Sequence, residues 1–269
     1  MKIAPYYFAT AIRQAIPDAY EITRPEIRGG LDSVYIAESE SRGKFICKFN
    51  HRDMAMKNAI VSELMREHNI SVPAIKVFEY NDNWMEIYPM LPGQTLFQAV
   101  QNGMPEYRVM KVYREILRQF EKMSHIHAGE VPEYLKFRDI QHVVYSNVSD
   151  MTGPIAAPLF ANAVRILNHG SRDARGLYHC GITPKNIIVS NRGHFVGLVD
   201  LDDAAVCNKN YAFGVMATQY GHMGCDADKL MANYEKQTGD TLHHGLIKQI
   251  GRVNNFGRWA MWKNSQHTK

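Results

Sequence analysis

A chain of 269 residues, 45% hydrophobic and 22% charged, is long enough for one large domain or for two lobes sharing a cleft. No apolar run reaches membrane-spanning length, and four scattered cysteines without a CxxC pair suit reduced thiols better than a disulfide scaffold. The net charge of +4 arises after residue 100, where 20 Lys+Arg face 15 Asp+Glu, an excess too mild and scattered for a nucleic-acid surface.

The segment Met1-Lys2-Ile3-Ala4-Pro5-Tyr6-Tyr7 has no apolar signal core, so a cytoplasmic location is expected. Gly29-Gly30 opens a strand through Ser33 and Val34 to Ala37, and Ser41-Arg42-Gly43 turns it into a second strand, Lys44–Phe49. Met56, Ile60, Leu64 and Met65 recur at helical spacing, predicting a helix from Met54 to His68. Val72-Pro73 enters a strand running to Tyr80, and Trp84–Tyr88 returns across the turn Asn81-Asp82-Asn83. Pro89-Met90-Leu91-Pro92-Gly93 breaks the pattern. Beyond it lies a stripe of Val109, Val112, Ile116, Leu117, Phe120, Met123 and Ile126, predicting a helix over 107–127. Further helices are expected over 158–167, 212–219, 227–237 and 242–262. The fold class is therefore α+β. A small antiparallel β lobe with one helix (residues 1–91) precedes a larger, mainly helical lobe (residues 92–269).

The chemistry concentrates between Leu177 and Asp203. Apolar β-rich runs flank the loop His179-Cys180-Gly181-Ile182-Thr183-Pro184-Lys185-Asn186, and Asp200 follows Asn186 by fourteen residues. Kinase-like phosphotransferases hold Mg²⁺ with a loop Asn and an Asp on the following strand, and place an acid five residues before the Asn. Here that position is Gly181. The run Asp200-Leu201-Asp202-Asp203 concentrates charge beside apolar strands, as a cation site would. A nucleotide triphosphate also needs backbone N–H groups over its phosphates, which Gly29 and Gly30 can supply, with a hydroxyl from Ser33. It needs a cation as well: Lys48 sits inside an apolar strand, where a charge requires a partner or ligand. Glu63, fifteen residues on, suits Lys48 as the orienting carboxylate, and Glu67, one turn further, competes.

Together these motifs resemble the aminoglycoside phosphotransferase/choline kinase family, the small-molecule branch of the protein-kinase-like fold. The resemblance runs from about residue 20 to 240. Gly29-Gly30-Leu31-Asp32-Ser33 is similar to the family's glycine loop, and Lys48 and Glu63 fall on its Lys–Glu pair. Ile70-Ser71-Val72-Pro73 resembles its Val-Pro strand entry. The segment Tyr88–Gly93 resembles its hinge, which implies that the backbones of Pro89 and Leu91 face adenine. The family's His-Gly-Asp-x-x-x-x-Asn loop and Ile-Asp-Trp-Glu-Asp strand align with His179–Asn186 and Val199–Asp203. The resemblance implies a two-lobed kinase-like fold, ATP and Mg²⁺ as cofactors, and phosphoryl transfer to a hydroxyl of a small-molecule acceptor. Asn186 and Asp200 are then the metal ligands. No nucleic acid, membrane or obligate protein partner is implied.

Gly181 departs from the family's catalytic Asp, and Thr183 stands where many members have His. Four readings follow: Asp202 or His179 replaces the base; the acceptor brings its own; the AMP moiety is transferred instead; or the chain only binds nucleotide, as a pseudokinase or regulator. The basic second part makes a polycationic aminoglycoside a less natural acceptor.

Overall fold

The computed structural model describes residues 5–25, 34–127, 129–132, 175–222, 226–248 and 250–251. The chain divides into two compact units, Met1–Glu67 with Ser71–Pro92, and His68–Ile70 with Gly93–Lys269. Gly29, Gly30, Ser33, the expected helix over 158–167 and everything after residue 251 lie outside the described residues.

The first unit is a five-stranded antiparallel sheet in the order β1-β2-β3-β5-β4. Its strands are β1 (Ala19–Thr23), β2 (Val34–Ser39), β3 (Gly43–Asn50), β4 (Lys76–Tyr80) and β5 (Asn83–Pro89). Alternation along β3 sends Cys47 and Phe49 to one face and Lys48 to the other. The first face is sealed by helix α1 (Pro5–Ala15), whose Phe8, Ala11 and Ile12 join Tyr35, Cys47, Phe49 and Met85 in one buried cluster. Phe8 packs at 4.4 Å from the Phe49 ring and 5.0 Å from that of Tyr35. Helix α2 (Arg52–Glu67) turns Asn58 to the Lys48 face, where its amide reaches Glu86 on β5. The strand expected from Val72 begins only at Lys76. Pro73 has no N–H for a ladder, and its carbonyl instead accepts from Ser62 Oγ of α2 at 2.6 Å.

The second unit holds β6 (Gln94–Thr95), α3 (Leu96–Gln101), α4 (Glu106–Ser124), β7 (Arg175–Tyr178), β8 (Ile187–Val189) and β9 (Phe195–Leu198). A 3₁₀ turn (Leu201–Asp203), β10 (Ala205–Asn208), α5 (Lys209–His222) and α6 (Ala227–Thr238) follow. Among the described residues two small sheets form: β6-β8-β9, and the pair β7-β10. Thr95 and Gln98 close a capping box at the start of α3. The predicted stripe of α4 is buried, and Phe120 on it packs edge-on against Phe213 of α5 and Tyr234 of α6 and tilted against Tyr178 of β7. Tyr234 donates its hydroxyl to Glu121 at 2.6 Å. Burial pushes that phenol's pKa well up, so it stays a donor. Two glycines permit close backbone approach. A Cβ on Gly93 (φ 127°) would stand 2.0 Å from the Val189 carbonyl, and one on Gly176 would stand 2.7 Å from that of Met123. Among the described residues no helix is long and apolar enough to cross a membrane.

Candidate active site

Lys48 and Glu86 are directly paired residues of the antiparallel β3–β5 ladder, so their side chains stand on one face. Both are buried, at 5% and 2% exposure. The Glu86 Oε1 accepts from Asn50 Nδ2 and Asn58 Nδ2, each at 2.9 Å. A buried carboxylate held by two amides and set opposite a buried ammonium is a prepared cation holder. Glu63 and Glu67 are both exposed on α2, whose sheet-facing side carries Asn58 instead. The structure thus sets Glu86, which the sequence reading did not single out, against Lys48. At the end of β5 the Met90 N–H bonds the Lys44 carbonyl at 2.9 Å. Pro89 can offer only a carbonyl, and Leu91 carries both a donor and an acceptor.

In the second unit the loop between β7 and β8 is organised around the backbone of Val199. Val199 N–H donates to the Asn186 carbonyl at 3.0 Å, and His179 Nε2 bonds the Val199 carbonyl at 2.9 Å. These bonds bring His179, Asn186 and Asp200 together at the mouth of the β8–β9 hairpin. Asn186 Nδ2 donates to the Gly181 carbonyl at 3.0 Å, which turns Oδ1, the half able to bind a cation, the other way. Phe97 N–H at the start of α3 bonds the Pro184 carbonyl at 3.0 Å and pins the loop. Asp200, expected within a strand, sits just beyond β9 in the left-handed region at φ 66°, ψ 78°. Asp tolerates that conformation better than most residues, yet it carries strain, a feature that clusters at ligand-holding positions. Its side chain is exposed.

His179 is fully buried, and both ring nitrogens are engaged. Gly181 N–H donates to Nδ1 at 3.3 Å, so the proton resides on Nε2 and is given to Val199. Burial lowers the imidazole pKa from its ordinary 6.5, outweighing the upward pull of Asp200, the Val199 bond and Asp203. A lowered histidine is held neutral in the fold while the unfolded chain binds a proton below pH 6.5. In the metal-free protein its contribution to stability is therefore complete above pH 6.5 and declines as pH falls towards the folded value. The slope is at most about 1.4 kcal/mol per pH unit. Urea midpoints of wild type and His179→Gln should diverge in pH dependence only in that window; parallel curves would refute the buried neutral ring.

Gly181 lies under a carboxylate. A Cβ there would stand 3.0 Å from Asp203 Oδ2, 3.3 Å from Asp203 Cβ and 3.4 Å from His179 Nδ1. Asp202 is half-buried in the same 3₁₀ turn, and Asp203 is exposed. Cys180 Sγ and Cys207 Sγ, both buried, approach to 3.5 Å as thiols. Burial pushes the Cys47 thiol up to about 12, so it stays protonated and unreactive.

Solved structures share this fold across most of the chain. The aminoglycoside phosphotransferase APH(3'')-Id from Streptomyces rimosus, in complex with ADP and streptomycin, is 12% identical with a TM-score of 0.69, covering 94% of this chain and 98% of that one. A choline kinase from Streptococcus pneumoniae is 13% identical with a TM-score of 0.64, covering 97% and 92%. An amicoumacin kinase in complex with AMP-PNP and Ca²⁺ is 14% identical with a TM-score of 0.64, covering 96% and 86%. At these identities the likeness shows the fold, which is α+β and kinase-like. No curated protein matches the sequence significantly. Residues 23–228 match the sequence model of the phosphotransferase enzyme family, and the chain belongs to that family.

Proposed function

We propose that the chain is an ATP- and Mg²⁺-dependent phosphotransferase acting on a hydroxyl of a small-molecule acceptor. The observation that carries this reading is the junction at Val199, which sets Asn186 beside Asp200 in a member of the phosphotransferase enzyme family. The Asp200 carboxylate and Asn186 Oδ1 form an all-oxygen donor set, which suits a hard cation. Mg²⁺ typically takes one or two protein ligands plus phosphates and water. Such a site needs no cluster of three or more His, Cys, Asp or Glu, and among the described residues there is none. When bound, the ion would neutralise charge on the transferring phosphoryl group.

Lys48 would hold the α- and β-phosphates, and Glu86 would fix its ammonium. Gly29, Gly30 and Ser33 would cover the phosphates. The Pro89 carbonyl and the Leu91 N–H match the donor and acceptor on one edge of adenine. His179 braces the loop rather than acting as base, because neither ring nitrogen has a lone pair to offer. The S. rimosus enzyme with ADP and the amicoumacin kinase with AMP-PNP and Ca²⁺ support a nucleotide with a divalent ion. ATP, Mg²⁺ and reduced thiols together fit a cytoplasmic setting.

Thermal denaturation with ATP, with and without Mg²⁺, tests the site. At a hundredfold excess over Kd the pair should add about 2.7 kcal/mol, and no shift would sink the reading. Product analysis separates the alternatives. ADP release supports phosphoryl transfer and pyrophosphate release AMP transfer. Binding without product supports a pseudokinase, the reading that the bare Gly181 favours.

A further inference from the structure

We propose that a basic groove between α4 and the β8–β9 turn binds a small molecule carrying two or more linked phosphate groups. The groove encloses about 420 Å³ and is lined by Tyr107, Arg108, Lys111 and Glu115 of α4 with Arg192 and Phe195 of the hairpin. That volume lies in the range of small-ligand sites. The basic excess of the second part of the chain has a focus here. From Tyr107 to Arg118 four cations stand against one acid, Glu115, and no acid lies between Asn186 and Asp200.

Arg108 bridges the two walls. Its Nη1 donates to the Arg192 carbonyl at 3.3 Å and its Nε to the Tyr107 hydroxyl at 3.2 Å. Gly193, at φ 77°, brings the turn close: a Cβ there would stand 3.4 Å from Arg108 Cδ and 3.0 Å from Met104 Cε. The guanidinium is thereby oriented, and its Nη2 meets no acceptor among the described residues. Lys111 holds its Nζ 5.7 Å from the Tyr107 ring centre. The one carboxylate of the groove is already engaged, since Glu115 accepts from Arg118 at 2.5 Å and from Gln119 at 3.3 Å. Among the described residues, Arg108, Lys111 and Arg192 form no ion pair with a carboxylate. Three like charges around one groove repel, and an anion between them reverses that term.

Linked phosphates match these groups. A guanidinium presents a fork of donors to two phosphate oxygens, and an ammonium adds a point charge. The Tyr107 hydroxyl accepts from Arg108 and keeps its own proton to donate. α4 begins one residue before Tyr107, so the helix dipole adds positive potential at this end. Arg108 and Lys111 are neighbours one turn apart, and Arg192 faces them from the hairpin, a spread that suits two or three phosphates better than one. The groove is separate from the metal residues. Asn186 and Asp200 flank the mouth of the β8–β9 hairpin, whereas Arg192 lies in its turn, a strand length or roughly 10 Å away. The site is therefore independent of the catalytic reading above.

The probe is inorganic triphosphate, titrated calorimetrically without Mg²⁺. It is added to wild type, to Lys48→Met/Glu86→Gln, which lacks the cation of the nucleotide site, and to that variant carrying Arg108→Gln/Lys111→Gln/Arg192→Gln as well. The first two should share a triphosphate site of equal affinity within about threefold, weakening as salt is added. The third should bind at least about 10²-fold more weakly, because each charge-assisted bond to phosphate contributes about tenfold. The three groove changes in wild type should remove one equivalent of bound triphosphate and leave the Mg²⁺-ATP thermal shift intact; all three side chains are exposed, so the fold should hold. Binding unchanged by the groove substitutions, or no binding to wild type at about 5 mM, would overturn the proposal. Loss of every triphosphate site in Lys48→Met/Glu86→Gln would overturn it too, by placing the phosphates in the nucleotide site. Orthophosphate binding as tightly as triphosphate would remove the requirement for linked phosphates. A single-stranded RNA oligomer binding more than about tenfold tighter at equal salt would replace the small ligand by a polyanion.

Discussion

Glu86→Gln is expected to lower unfolding free energy by about 3 kcal/mol, whereas Glu63→Gln should change it by less than about 0.5 kcal/mol. Glutamine matches the shape of glutamate and can still accept from Asn50 and Asn58, so the substitution removes chiefly the charge. Lys48, at 5% exposure, would then keep its ammonium in the sheet without the carboxylate across the ladder. Breaking a buried ion pair from one side typically costs roughly 3–5 kcal/mol, because the remaining charge is not resolvated. Glu63 is exposed, where water screens any loss. Lys48→Met/Glu86→Gln should recover most of the lost stability, since a buried pair replaced as a unit leaves no isolated charge. It should also lose the stabilisation by Mg²⁺-ATP, because the cation for the phosphates is gone. Urea midpoints for the four proteins test the coupling, and equal effects of Glu86→Gln and Glu63→Gln would return the orienting role to α2.

The choice between these two carboxylates marks where sequence reading reaches its limit. The α+β division is legible because its signals are local. Alternation through Lys44–Phe49, the apolar stripe that builds α4 and the punctuation at Pro89–Gly93 each lie within one short window. The loop from His179 to Asn186 is legible for the same reason. Glu86 is not, because its place opposite Lys48 depends on the strand order β3-β5-β4, in which the return strand of a hairpin inserts beside β3. Sequence proximity points from Lys48 to the next helix, whereas the cross-strand neighbour Glu86 is created by topology. The approach of Asp203 to Gly181 is hidden in the same way. Only the β7–β10 register and the left-handed Asp200 bring the two together, and neither is written in a local pattern. Helix α1 carries a weak local signal: Phe8, Ala11 and Ile12 have helical spacing, but it begins at Pro5-Tyr6-Tyr7 with no polar capping residue.

Asp200→Asn should reduce nucleotide turnover by roughly 10³-fold while leaving the fold intact, the largest catalytic loss expected from a single conservative change. Asparagine is as much at ease as aspartate in the left-handed region, so the backbone at φ 66° survives the exchange. The 3₁₀ turn that follows, anchored by buried Leu201, should therefore hold. His179 should also stay as it is, because Asp200 raises its pKa and removal of that charge only favours the neutral ring further. What changes is the donor set: a carbonyl oxygen replaces a carboxylate, and a hard divalent ion loses its anionic protein ligand. The thermal shift produced by ATP with Mg²⁺ should collapse to the smaller shift produced by ATP alone, since Lys48 and the hinge groups lie on other elements. Denaturation curves with ATP, with Mg²⁺ and with both, run beside ADP release, separate these contributions. If the full Mg²⁺-dependent shift survived in Asp200→Asn, the metal would have to be held elsewhere in the chain, and the pairing of Asn186 with Asp200 through Val199 would be an architectural feature of the hairpin alone.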